Sequence, residues 1–362
     1  ITDADLPNLL GADVDVLVVN TVGSRLHRVV TELRRSAEGR QRRPVLVTGY
    51  AGLVYEKHVE GAVWRSAADV VCCNSHRDLR RFGDIYRSLG VDAGNLVQTG
   101  FAVIDDTGGA VPLVDRASLP PRTVTFAVQP DVPRSARDRS YVAQRLVDYA
   151  LAHPDRTVIV KLRSRPDELT THREVHRYDT LIERLPDGVP ANLGFEYGLM
   201  SDVLDRTDLL LTISSTAAIE ALARGLAVGI ISDLGVGESL GIHPFLGSGL
   251  LATFDDLIAD RVPATDPEWM VDNGFGPDDR RANVAITVRQ LLDQQRNNFL
   301  VSLYLHRTQV GMASVDLSTG DFTLNEIPGA QLQDELESVD PAELLLSEGA
   351  DEQWVSKLRA AL

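Results

Sequence analysis

Short apolar runs alternate along most of the chain with longer stretches in which apolar positions recur every three or four residues. "DVLVVN" (15–20), "PVLVTGY" (44–50), "ADVVCCNS" (68–75) and "NLVQTGF" (95–101) have the continuous, β-branched character of strands buried on both faces. Between them, 24–39, 56–67 and 77–90 carry the helical period, and the first and last close on Gly39 and Gly90. The stretch 105–122, with Gly108, Gly109 and three prolines, reads as an interdomain linker. The alternation then restarts. Strands are predicted at 123–129, 157–163, 208–213 and 227–232, with helices at 138–152, around 174–185, at 201–207 and at 217–224. Parallel strands joined by crossover helices satisfy such an order.

Past Asn297 the rhythm changes. "NFLVSLYLHRTQVGMASVDLSTGDFTLNEI" reads as three successive strands with turns at His306–Gln309 and Ser318–Asp321, an antiparallel meander. A helix (330–338), a strand (342–348) and a last helix (351–361) complete it. The fold expected is α/β: two doubly wound Rossmann-like domains, residues 1–122 and 123–290, followed by a small α+β module, 291–362. The first strand pattern begins close behind Ile1, so the first domain is expected to be incomplete at its start.

Charge sharpens the last boundary. Of a net −16 over 362 residues, residues 297–362 hold 11 Asp/Glu against Arg307, Lys357 and Arg359. That balance opposes direct nucleic-acid binding, which needs basic residues against phosphate. No apolar run reaches the ~20 residues of a membrane span. The two cysteines are adjacent, Cys72 and Cys73, in an apolar strand, and read as buried thiols of a reducing compartment. A cytoplasmic location is expected.

Candidate chemistry gathers at strand ends. "LLLTISSTAAIEALARG" (209–225) runs from a buried strand through Ser214, Ser215 and Thr216 into a helix. Three hydroxyls at a strand-to-helix junction are suited either to capping the helix or to holding a phosphate on its N-terminal N–H groups. Glu220, one helical turn on, is placed to accept ribose hydroxyls or to stand in solvent. "VKLRSRP" puts Lys161 and Arg163 at the end of another strand, and Lys161 is one of three lysines against 33 arginines. A lysine offers a compact point charge and an arginine a bidentate fork for phosphate. Gln129 follows the first strand of the second domain. In the first domain Glu56 and His58 are the candidates for a general base, with His76 third. His172 and His176 are four apart, but no third ligand accompanies them, and no metal site is expected.

Two resemblances bear on these residues. "TISSTAAIEALARGLAVGIISD" resembles the C-terminal-domain signature of GT-B glycosyltransferases. With "VLVTGYAGLVYEKHVEGAVWRSAADVVCCNS", "FAVQPDVPRSARDR" and "VIVKLRSRPDELTTHREVH", residues 1–275 resemble a bacterial family related to polysialyltransferase and CDP-glycerol glycerophosphotransferase types. The resemblance implies a GT-B-like pair of domains and transfer of a sugar or glycerophosphate from a CMP-, CDP- or UDP-linked donor. A glycan or lipid-linked acceptor in cell-surface polysaccharide synthesis goes with it, and no further cofactor is implied. It places the donor phosphate at Ser214, Ser215 and Thr216, beside Lys161 and Arg163. One departure is plain: where sialyltransferases of that type carry His-Pro at a strand end, "LRSRP" stands here, and His243–Pro244 comes late in the domain. Residues 291–362, through "ASVDLSTGDF" and "PAELLLSE", resemble the first half of the connector domain of the mismatch-repair protein MutS, which implies an RNase H-like fold. No Walker A sequence occurs in these residues, which excludes a mismatch-repair ATPase among them. The alternatives to transfer are a nucleotide-sugar isomerase of epimerase type and a non-catalytic interaction or mismatch-repair-related module. Self-association through the C-terminal module is a further expectation.

Overall fold

Burial along the strands explains why they form where they do. In the computed structural model the first sheet holds β1 (Val16–Val19), β2 (Val45–Gly49), β3 (Val70–Cys73) and β4 (Leu96–Gln98), in that order across the sheet. β2 pairs with β3 and β3 with β4 in parallel. The crossovers are α1 (Ser24–Ala37), α2 (His58–Arg65) and α3 (His76–Ser88). α1 turns Leu26, Val30 and Leu33 inward, the i, i+4, i+7 stripe of an amphipathic helix. α3 starts at Ser75, whose hydroxyl accepts from the Asp78 N–H, and buries Phe82 and Tyr86. The structure describes residues 14–21, 24–37, 44–50, 52–54, 58–101, 104, 120–166, 168, 174–186, 188–275, 281–295, 299–316, 321–339, 341, 343–346 and 352–361. Most of the expected linker, 105–119, lies outside them.

The second sheet has six strands: β5 (Thr123–Ala127), β6 (Thr157–Lys161), β7 (Leu193–Glu196), β8 (Leu209–Thr212), β9 (Ala227–Ile231) and β10 (Leu251–Ala252). Their order is β10-β9-β8-β5-β6-β7, all parallel, with β5 and β8 at the centre. Around it run α4 (Ala136–Ala152), α5 (Tyr178–Glu183), α6 (Met200–Leu204), α7 (Ala217–Ala223), α8 (Phe254–Ile258) and α9 (Pro267–Met270). β8 is buried throughout, as its unbroken Leu-Leu-Leu run requires of a strand covered on both faces. Gly225, at φ +70°, ends α7 in the left-handed conformation that glycine adopts without penalty.

Two elements differ from expectation for visible reasons. β7 and β10 are short edge strands with little apolar periodicity, and only pairing with β6 and β9 makes them strands. The helix expected around 174–185 is confined to Tyr178–Glu183. Glu174 and the His176 carbonyl are instead drawn onto the Arg139 guanidinium.

α10 (Arg281–Gln295) precedes the C-terminal sheet of β11 (Phe299–His306), β12 (Gln309–Asp316), β13 (Phe322–Pro328) and β14 (Glu343–Leu346), with α11 (Leu332–Val339) and α12 (Glu352–Ala361). β11, β12 and β13 form the antiparallel meander, and β14 adds to β11 in parallel, giving the order β13-β12-β11-β14. Its own small core holds Val301, Leu303, Val310 and Met312 against Leu332, Leu336 and Leu358. Two compact units separate along the chain. One is Val18–Val30 with Leu46–Val284; the other is Ala285–Leu362 with Ile1–Leu17 and Thr31–Val45. Among the described residues no helix is long and apolar enough to cross a membrane.

Candidate functional site

Because β8, β5 and β6 are adjacent and parallel, their carboxyl ends share one edge of the second sheet. Thr212 closes β8; its hydroxyl donates to the Ala127 carbonyl (3.0 Å) and accepts from the Ser215 N–H (3.3 Å). Ser214 is wholly buried. Its N–H donates to Gln129 Oε1 (2.9 Å), and Gln129 Nε2 donates to Ser214 Oγ (3.1 Å). The Gln129 amide is thus a bracket that ties the end of β5 to the end of β8. Ser215 Oγ accepts from the Ala217 N–H (3.2 Å), the capping use of the hydroxyl run. The N–H groups of Ser214, Ser215 and Ala217 therefore already have acceptors within the protein. Thr216, half-buried, precedes α7 without a side-chain cap bond. Glu220 pairs with Arg224 one turn on (3.1 Å), and Arg224 also reaches Asp205 (2.5 Å).

Lys161 ends β6 on the same edge. It is buried, its Nζ donating to the Leu162 carbonyl (2.8 Å). Burial pushes its pKa down from the ordinary lysine value, opposed by the Glu196 carboxylate. Arg163 stands exposed just beyond it. Strand order thus brings Gln129, Lys161 and the Ser214–Thr216 turn to one edge, and Gln129 and Ser214 touch directly.

Arg139 organises this edge, and its role is not among the sequence expectations. Its side chain is almost completely buried, and its guanidinium donates to the carbonyls of Gln129 (2.6 Å), Pro130, Pro133 (2.8 Å) and His176 (3.0 Å) and to Glu174 Oε1 (2.5 Å). The signal was present in the sequence: Arg139 lies on the same helical stripe as Val142, Ala143 and Leu146, where a charge needs partners.

On the first-domain side, Glu56 lies outside the described residues, as does the side chain of His58, the first residue of α2. His76 opens α3, half-buried. His172 lies outside the described residues too, and among those described no group of three or more His, Cys, Asp or Glu is placed to hold a metal ion. Asn74 Nδ2 donates to the carbonyls of Tyr50 (3.0 Å) and Gly52 (2.9 Å), shaping the loop after β2. That loop meets the second domain. A Cβ built on Gly52 would stand 2.8 Å from Thr216 Oγ1, so only a residue without a side chain lets the backbone approach this closely. Leu53 joins the second domain's core. Nearby, Arg77 donates to the carbonyls of His243 (2.9 Å) and Pro244 (2.7 Å), and His243 Nε2 lies 3.2 Å from the Val54 carbonyl. The His243–Pro244 segment is a helical turn held against the first domain.

Two segments of the chain are similar to known proteins. The family model described as "Putative glycosyltransferase (DUF6716)" matches residues 3–291, and that of MutS domain II matches residues 298–361. The DNA mismatch repair protein MutS of Syntrophomonas wolfei is 36% identical over 87 residues, 21% of this chain and 10% of that protein. Its counterpart in Clostridium tetani is 34% identical over 70 residues, 19% of this chain and 8% of that protein. The chain thus spans a tenth or less of the length of these curated relatives. Among solved structures, the putative UDP-N-acetylglucosamine 2-epimerase of Listeria monocytogenes superposes with a TM-score of 0.52 at 14% identity, covering 81% of this chain and 78% of that one. The UDP-GlcNAc 2-epimerase of Neisseria meningitidis bound to UDP-GlcNAc gives 0.50 at 14% identity, covering 80% of each. At such identities the likeness is one of fold.

Proposed function

The chain belongs to the DUF6716 family, and from that premise we propose that it transfers a glycosyl group from a nucleotide-activated sugar to a glycan or lipid-linked acceptor. The observation that carries this reading is the abutment of the Thr216 hydroxyl on Gly52. It sets the strand ends of one α/β domain against those of the other, the place where paired domains of this kind take ligands. The donor nucleotide lies along the second-domain edge, with its phosphate at the hydroxyls of Ser215 and Thr216 and in reach of Arg163. Glu220 faces the ribose. Gln129, Ser214 and Lys161 hold that edge in shape from beneath. As the bond from the sugar's C1 to the phosphate oxygen breaks, negative charge grows on the phosphate, and preorganised donors and the exposed guanidinium lower the barrier there. The C-terminal module plays no part on DNA in this reading.

A thermal-shift panel of CMP, CDP, UDP and GDP on the full chain tests it, because a ligand bound only by the native state raises its apparent stability. At least one nucleotide is expected to raise Tm, and Thr216→Val or Glu220→Gln to weaken that nucleotide by about 1–2 kcal/mol each. No shift with any of the four would refute the donor site. Product analysis without acceptor separates transfer from isomerisation: an epimerised, still nucleotide-linked sugar would replace the transferase reading by an epimerase one.

A further inference from the structure

We propose that Asp78 and Gln98, at the carboxyl edge of the first sheet, form the subsite for the reacting hydroxyl of a sugar acceptor, with Asp78 taking its proton. The inference rests on the transferase reading above and adds the acceptor side to it.

Three observations bring the two residues to the same edge and face of the sheet. Cys73 and Gln98 are register partners on β3 and β4, so their side chains leave the sheet on the same face. That face is the one α3 covers: a Cβ built on Gly83 of α3 would lie 4.0 Å from Leu96 Cδ1, and Gln98 is two residues on from Leu96 along the strand. α3 runs back along the sheet, which brings its first turn, and with it Asp78, level with Gln98. Asp78 also shares the inward stripe of Phe82 and Tyr86, four and eight residues on.

Both groups are poised for a ligand. Gln98 is 9% exposed, and its Nε2 has no hydrogen-bond acceptor among the described residues. A buried amide donor without a partner costs free energy, and an incoming hydroxyl oxygen would satisfy it. Asp78 is half-buried, shares a hydrogen bond with the Ser75 side chain, and makes no ion pair among the described residues, although arginines surround it. Arg77 is committed to the His243 and Pro244 carbonyls and Arg80 to Asp272. Burial raises the Asp78 pKa to about 6, against the pull of the Ser75 hydroxyl, Arg77 and Arg81 and with the push of Asp272; Tyr50, just past β2, and Cys73 of β3 face it. A carboxylate so tuned suits a general base at neutral pH.

The step balances within the groups named. The acceptor oxygen attacks C1 of the donor sugar and its proton passes to an Asp78 oxygen. The C1–O bond to the phosphate breaks, and the bonding pair leaves with the nucleotide.

The test uses the full chain and a panel of methyl glycosides of glucose, galactose, mannose and N-acetylglucosamine. Saturation-transfer NMR reads sugar binding in the presence of the nucleotide that raises Tm most. At least one glycoside is expected to give a signal that falls at least about tenfold in Asp78→Asn and in Gln98→Leu, while the nucleotide shift stays unchanged. With that glycoside and the matching nucleotide sugar, Asp78→Asn should lower kcat by about 10²–10⁴-fold. Wild-type kcat should decline as pH falls through about 6, and the residual rate of Asp78→Asn should lack that limb. A wild type that binds nucleotide but no glycoside overturns the proposal, as do variants that keep both signal and turnover. Absence of a nucleotide shift would instead strike the donor reading, and a variant-sensitive sugar signal would still support the subsite.

Discussion

Replacing Arg139 by methionine removes a guanidinium that serves four carbonyls and one carboxylate. Methionine keeps most of the aliphatic volume, so the cavity cost is small. What remains is Glu174, whose side chain is 3% exposed. An uncompensated buried charge costs about 3–5 kcal/mol. The penalty has a ceiling, because Glu174 can take a proton. Neutralising a carboxyl of ordinary pKa ~4.3 at pH 7 costs about 3.7 kcal/mol, at 1.36 kcal/mol per unit. The abandoned carbonyls add about 1 kcal/mol or more, for a loss near 5 kcal/mol at pH 7. The sign with pH follows. Burial already raises the Glu174 pKa, and loss of Arg139, which lowers it, raises it further. An acid whose folded pKa lies above its unfolded one destabilises the fold as pH rises, so acidification recovers stability. Between pH 7 and pH 5 the deficit of Arg139→Met should shrink by about 2.7 kcal/mol. Calorimetry of wild type, Arg139→Met and Arg139→Met/Glu174→Met at both values checks this. The double variant should recover most of the charge penalty and none of the carbonyl part. A deficit independent of pH, or a double variant no better than the single, would refute the reasoning.

Three further outcomes are expected. Arg77→Ala should cost more than Arg80→Ala, about 1–3 against under 1 kcal/mol, because Arg77 satisfies two carbonyls of the second domain while Arg80 and Asp272 form a largely exposed pair; paired melting curves decide it. Gly52→Ala should destabilise by about 1–3 kcal/mol through its Cβ against Thr216 Oγ1, and adding Thr216→Ala should restore most of the loss of Tm. Burial raises the Cys72 thiol to about 11 and that of Cys73 further still, so at pH 8 about one Cys72 in a thousand is thiolate; both should react slowly with a disulfide reagent until urea is added, and rapid native labelling would contradict the raised pKa values.

The alternation of apolar runs and helical periods was enough to read both parallel sheets, because a strand covered on both faces must be continuously apolar, as in β8, and its crossover helix must carry one stripe, as in α1. The meander after Asn297 was legible for the complementary reason: antiparallel strands joined by short turns leave their pairing in the local sequence. Edge strands were not. β7 carries Gly194 and half-buried positions, and its strand character comes from the Lys161↔Glu196 register with β6.

Sequence likewise located the candidate chemistry by residue type and strand end, but not the employment of each side chain. Ser214 and Gln129 are 85 positions apart and find each other because β8 and β5 are neighbours in space. Lys161, read from its position as a phosphate ligand, is buried with its Nζ on the Leu162 carbonyl. Local pattern dictates which segments become strands and helices, since periodicity and capping act within a few residues. Which polar atoms remain available for a ligand depends on strand order, on Arg139 gathering distant carbonyls and on Gly52 lying against Thr216, and those long-range contacts exist only once the sheets are assembled.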